Sequence, residues 1–221
     1  AIESIGFECT RCGACCKAVE GCESEHGAAD GGDDVSEEGE AGAEGHDHTA
    51  TVFPDEVREL QATDDYDWRD VARPMPYGLA EGEEALQGET FEWALQTDDC
   101  GDCAFYAEDD DGRGACTVHE DRPLVCRTYP FSVALGGTSQ PMGEAVDEAG
   151  MVRAHECEGL GRDISRAEAE ELARALKERA VREIDEAIAI RDGYRPVERE
   201  PGEVVVFDSE GAKRPDGSRV E

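Results

Sequence analysis

The hydrophobic and polar positions divide the chain into segments of different period. From Ser165 the period is helical: Leu172, Leu176, Ala180, Ile184 and Ile188 recur every four residues, with Ala173, Val181 and Ala187 beside them. Ser165-x-x-Glu168 is a capping box and Gly193 a stop signal. The spacing predicts an amphipathic helix over 165–191 whose single apolar stripe packs on the rest of the domain. A partner helix in a coiled coil is the weaker alternative, because a repeat of four does not hold a 3.5-residue seam. Pro54 to Ala62 reads as a short helix with Pro in its first turn and Val57 and Leu60 three apart. Phe91 to Gln96 alternates apolar and mostly polar residues, which is strand periodicity. Ala104–Ala107, the turn Asp109–Gly114 and Ala115–Val118 read as a β-hairpin that brings Cys103 and Cys116 near each other. The Asp109–Gly114 run is not a calcium loop of the EF-hand type, since Ala107 and Val118 take two ligand positions. Residues 63–90 give mixed signals, and 131–152 are loop-like with weak β character at Ser132–Leu135. Residues 203–207 read as a strand, and the polar tail from Asp208 is expected to fray. Glu23 to Ala50, made of Gly, Ala, Asp, Glu and Ser with three His, cannot bury a core and reads as a disordered acidic loop. Its His46 and His48, with His26, are expected to be solvated polar residues rather than a metal site.

The cysteines change this picture most. Cys9-Thr-Arg-Cys12-Gly-Ala-Cys15-Cys16 places four thiols in eight residues. Thiolates are soft donors that suit zinc, iron–sulfur clusters or copper(I) far better than magnesium or calcium. C-x2-C-x2-C is a spacing that lets a loop wrap one metal centre. Cys15 and Cys16 are adjacent, so either a turn brings both to one centre or they serve different sites. Cys126 stands between Pro123 and Pro130, which push Arg122 and Tyr129 out of helical geometry and leave room for one turn that presents the thiol. Arg127 follows it directly, and a guanidinium near a thiolate favours the ionised, metal-binding form. Ordinary pairing with carboxylates is the competing role for Arg122 and Arg127. His155 lies two residues from Cys157, a weak ligand signal.

Together these motifs resemble a known family. Cys9-x2-Cys12-x2-Cys15-Cys16, Cys103-x-Phe, Cys116-x-Val-His-Glu-x-Arg-Pro-x-x-Cys126-Arg-x-Tyr-Pro-Phe and Cys157-x-Gly-x-Gly are similar to the CxxCxxCC zinc- or iron-chelating family, also called YkgJ-type cysteine-cluster proteins. The resemblance runs from about residue 5 to 190. It implies metal ligands at Cys9, Cys12, Cys15, Cys16, Cys103, Cys116, Cys126 and Cys157, with Cys22 and Cys100 extra, and with His119 where members commonly carry Tyr. It implies a zinc ion or an iron–sulfur cluster as the bound group. Members have been called predicted iron–sulfur oxidoreductases, and the larger flagellin lysine N-methylase carries the same cysteine module.

The expected fold is α+β: a small cysteine-rich domain stapled by metal, with a short antiparallel hairpin or sheet and a long C-terminal amphipathic helix. Residues 1–22 form the N-terminal cysteine cluster of the chelating domain. Residues 23–50 are the acidic insertion, 51–192 the remainder of the same domain, and 193–221 the C-terminal strand and frayed tail. Eight thiols support two four-Cys sites, or one such site with further structural cysteines. Closed zinc sites would make the protein a binding module, with a protein partner. Against this stand a cluster-dependent enzyme in methyl transfer or redox chemistry and a metal carrier. The chain offers no G-x-G-x-x-G after a strand, no P-loop, no nucleophile elbow and no C-x3-C-x2-C run, so no catalytic residue is named.

Charge narrows the setting. Asp and Glu number 55 against 21 Lys and Arg, a net charge of −34. That repels nucleic acid and anionic membrane surfaces. Acidic, Lys-poor composition resembles that of proteins from salt-in halophiles, where molar salt screens the repulsion. The N-terminal AIESIGFEC has neither a basic start nor an apolar core, and no apolar run is long enough to span a membrane. Ten cysteines without an export signal predict a cytoplasmic, reducing setting and metal ligation rather than disulfides.

Overall fold

The elements form where local chemistry favours them. A computed structural model describes residues 2–18, 49–82, 85–109, 113–135 and 143–220. Cys22, His26, His46 and His48, and so most of the acidic insertion, lie outside the described residues. In chain order the elements are α1 (Ile2–Ile5), β1 (Thr51–Val52), α2 (Pro54–Gln61), α3 (Trp68–Val71), β2 (Ala72–Pro74), β3 (Leu79–Glu81), β4 (Leu86–Thr90), β5 (Trp93–Leu95), β6 (Tyr106–Glu108), β7 (Gly114–Cys116), α4 (Leu124–Thr128), β8 (Phe131–Val133), β9 (Glu144–Ala145), β10 (Val152–Ala154), α5 (Arg166–Gly193), β11 (Val204–Asp208) and β12 (Gly211–Lys213). The strands make four small sheets, ordered β1-β5-β2, β8-β10-β9, β12-β11-β4-β3 and β6-β7. Among the described residues all strand pairings are antiparallel except β11 with β4. The α+β expectation holds, and the mixed stretch 63–90 supplies three of the strands.

Two cores result. The larger joins Val52, Val57, Leu60, Trp68, Val71, Trp93, Leu95, Phe105, Val118 and Val206. Trp93 is its centre: its ring meets Trp68 edge to face at 5.0 Å, and its indole N–H donates to the Asp208 carboxylate at 2.9 Å. The smaller core gathers Ile2, Phe131, Ala154, Ala169 and Leu176, with Phe7 and Leu160 packed against it.

The C-terminal segment does not fray. Asp208 and Lys213 are both buried and pair at 2.7 Å, with the Lys213 ammonium 5.1 Å from the centre of the Trp68 ring. Buried opposite charges hold each other, because removing either would strand the other in the core. The polar composition of the tail concealed this, since the partners lie in β11 and α3.

Helix α5 starts as its capping box predicts. Ser165 Oγ accepts from Glu168 N–H at 3.2 Å, and the Glu168 carboxylate accepts from Ser165 N–H at 2.7 Å. Its stripe is split, which corrects the expectation of one continuous packed face. Ala169, Ala175 and Leu176 are buried, whereas Val181, Ile184 and Ile188 are 48%, 39% and 42% exposed. A row spaced by four advances about 40° around a helix at each step, so positions after Leu176 rotate off the body. No helix among the described residues is long and apolar enough to cross a membrane.

Glu210 anchors the β11–β12 turn. Its carboxylate accepts from Arg58 Nη1 at 3.1 Å and from Lys213 Nζ at 2.8 Å. The Arg58 contact first, and Lys213 with it, hold this carboxyl down at about 2 against an ordinary 4.5. A depressed folded pKa contributes stability above the unfolded value that is lost as pH falls through the folded one. Glu210→Gln should therefore flatten the loss of stability between pH 4.5 and about 2, measured by urea unfolding in molar KCl. An unchanged slope would contradict the assignment.

Candidate metal centre

The N-terminal thiol run has no regular structure of its own, and backbone contacts give it a shape. Gly13 sits at φ +78°, where glycine is favoured, and its carbonyl accepts from Cys16 N–H at 2.7 Å and Lys17 N–H at 3.1 Å. This turn separates the adjacent Cys15 and Cys16. Arg11 is also left-handed, at φ 61°, and its carbonyl accepts from Gly114 N–H of β7 at 3.0 Å. A methyl group on Gly13 would strike the Tyr106 ring of β6. Lys17 pairs with Glu108 and stands 5.3 Å from the centre of that same ring. Cys103 N–H donates to the Cys16 carbonyl at 2.7 Å, and Ala18 N–H to the Asp102 carboxylate at 2.7 Å. The run thus lies along the β6–β7 hairpin. At its other end Phe7 bridges Leu160, and Glu8 N–H donates to the Gly159 carbonyl at 3.1 Å. That contact draws the Cys157 loop to Cys9.

The turn carrying Cys126 forms as its two prolines predict. Arg122 has ψ 136° and Tyr129 ψ 138°, both extended, with α4 between them. Glu56 of α2 is buried and accepts from Leu124 N–H at 2.8 Å and Phe53 N–H at 3.0 Å, which caps α4. Burial raises its carboxyl, against the pull of these two N–H groups.

The eight cysteines that the resemblance singled out are all free thiols, and the fold brings them together from four stretches of chain. They divide by what they touch. Cys103 belongs to the larger core, and Cys16, Cys116 and Cys126 pack against it. Cys9, Cys12, Cys15 and Cys157 line a cavity of about 500 Å3 with Phe7, Thr10, Tyr129, Glu156 and Glu158. The groups adjoin, since the Cys15 and Cys16 sulfurs are 3.7 Å apart. Among the described residues no three His, Cys, Asp or Glu side chains already stand where one ion would be held. The thiols are gathered but not closed around one point.

Electrostatics follow the same division. The Cys15–Cys16 pair shares its first ionisation: a thiol donating to a thiolate holds Cys15 down at about 7, with help from Arg122, and drives Cys16 upward. Burial pushes Cys103 to about 11, and burial with neighbouring sulfurs raises Cys126 and Cys116. Cys157 is raised by burial and then by Cys12, Cys15 and Cys9. Crowded sulfurs resist carrying several negative charges at once, and a cation is what removes that resistance.

Arg122, not Arg127, is the guanidinium beside the sulfurs: it lowers Cys15, Cys116 and Cys126, while Arg127 is exposed. Cys100 is disulfide-bonded, contrary to the expectation of reduced thiols throughout. His119 is exposed beside Glu120, and the His155 ring stacks edgewise on Tyr129 at 6.2 Å; neither lines the cavity. Sequence reading missed Phe7, Thr10, Tyr129, Glu156 and Glu158 as cavity residues. Closeness in sequence to Cys9 and Cys157 was the available signal for all but Tyr129, which stands three residues after Cys126.

Residues 8–158 match the model of the family described as "CxxCxxCC, putative zinc- or iron-chelating domain", and the chain belongs to that family. No curated protein and no solved structure matches the chain.

Gly13→Ala should cost roughly 1–3 kcal/mol, because it forces a side chain into left-handed backbone and against Tyr106. Urea unfolding in molar KCl checks this; a change within about 0.5 kcal/mol would show that the turn does not need glycine.

Proposed function

We propose, from membership of this family, that the protein is a cysteine-cluster domain binding zinc or an iron–sulfur cluster through two adjoining groups of four thiolates. The observation that carries the reading is the convergence of eight free thiols, four on the larger core and four on the cavity. The donor chemistry fits a soft or borderline metal. Cys16, Cys103, Cys116 and Cys126 would hold one centre, and Cys9, Cys12, Cys15 and Cys157 the other. A bound centre would supply folding energy at a closed site, or Lewis-acid or redox chemistry at an open one. Arg122 offsets part of the negative charge that four thiolates leave around a divalent ion. The acidic chain is poorly suited to nucleic acid or anionic membranes, and its composition supports a salt-rich cytoplasm as its setting.

A metal carrier is the second reading, favoured by the exposure of Cys9 and Cys12 at the cavity. A cluster-dependent enzyme would need a substrate pocket, and the same cavity would be its place.

Anaerobic purification in molar KCl, with elemental analysis and a visible spectrum, tests the proposal. Bound zinc, or iron with acid-labile sulfide and a brown colour, is the expected result and tells the two apart. Cys12→Ser and Cys126→Ser should each lose metal. Wild-type protein without either metal, or both variants with full content, would contradict the assignment.

A further inference from the structure

The two thiol groups differ in more than position. Cys103 is buried, and the half-buried Cys16, Cys116 and Cys126 pack against the larger core, to which Phe105 and Val118 belong. The strand pairing of Tyr106 with Cys116 and the 2.7 Å bond from Cys103 N–H to the Cys16 carbonyl fix three of these four in the hairpin layer. Cys126 is fixed by α4, which Glu56 caps. A metal lost from this group would leave four thiols in the core with their organising centre gone. The other group faces water. Cys9 and Cys12 are exposed, and Cys15 and Cys157 complete the wall of the 500 Å3 cavity. A cavity of that size admits a small organic ligand. Its segment is held to the body by backbone contacts at Phe7, Glu8 and Arg11, which involve no thiol.

We infer that the cavity-facing group, Cys9, Cys12, Cys15 and Cys157, is an open and exchangeable site for a soft cation, whereas the core-facing group is a closed structural one. The inference rests on the metal-binding reading above and adds a functional asymmetry to it. Small ligands reach the first centre through the cavity while the fold stays intact. Release from the second requires the larger core to open, so it follows global rather than local unfolding. Glu156 and Glu158 at the cavity favour neutral or cationic ligands over anionic ones.

The test is a chelator challenge of the full chain, purified anaerobically in molar KCl. The probe is 1,10-phenanthroline, which is neutral and small enough for the cavity. Metal retained after desalting is counted at intervals, and the melting temperature is taken on the same samples. Metal should leave in two pools, the second at least about tenfold slower, an activation difference of about 1.4 kcal/mol. Loss of the first should leave the melt nearly unchanged. Cys9→Ser and Cys157→Ser should lack the fast pool and still fold, and Cys103→Ser should lower the melting temperature. Release of all metal in one phase, or a fast pool that survives in Cys9→Ser and Cys157→Ser, overturns the inference alone. A wild-type protein with no metal overturns the underlying reading and this inference with it.

Discussion

The backbone turn at Gly13 is the constraint on which the rest depends. Two hydrogen bonds to one carbonyl reverse the chain between Cys12 and Lys17, and the Cys16 carbonyl then takes the N–H of Cys103. Without this turn Cys15 and Cys16 would be neighbours on an unstructured strand. With it, one sulfur faces the cavity and the next faces the larger core, 3.7 Å apart. The loop can take this course because Gly13 lies flat against Tyr106 and Gly114 lets β7 approach Arg11. The hairpin is therefore a platform for the N-terminal run, and it carries Cys116 and Cys103 beside that run.

Each core supports one thiol group. The larger core, with Trp93 hydrogen-bonded to the buried Asp208–Lys213 pair, stands under Cys16, Cys103, Cys116 and Cys126. The smaller core, capped by the first half of α5, holds Phe7 and Leu160, whose bridge sets Cys9 beside Cys157. Arg179 of α5 donates to Thr128 Oγ1 at 3.1 Å and so couples the helix to the turn that presents Cys126. The long helix thus steadies that turn from behind.

Local signals were legible in the sequence wherever the cause was local. The capping box at Ser165, the prolines around Cys126 and the hairpin between Cys103 and Cys116 are examples. Most of the rest depends on contacts distant in sequence. Lys213 looks like a tail residue until Asp208 and Trp68 surround it. Ile184 and Ile188 fit the stripe of α5, yet the drift of a four-residue spacing carries them off the body. Arg122 and Arg127 are equivalent candidates in one dimension, and only the orientation of α4 separates them. The motifs singled out the eight cysteines and allowed one four-Cys site or two; which of them lie on the cavity and which on the larger core needed the fold.

X-ray absorption at the metal edge of the loaded protein tests the central claim most directly. Two groups of four thiolates predict a first shell of sulfur alone, close to four per metal, at about 2.3 Å for zinc. A shell dominated by nitrogen or oxygen would contradict it.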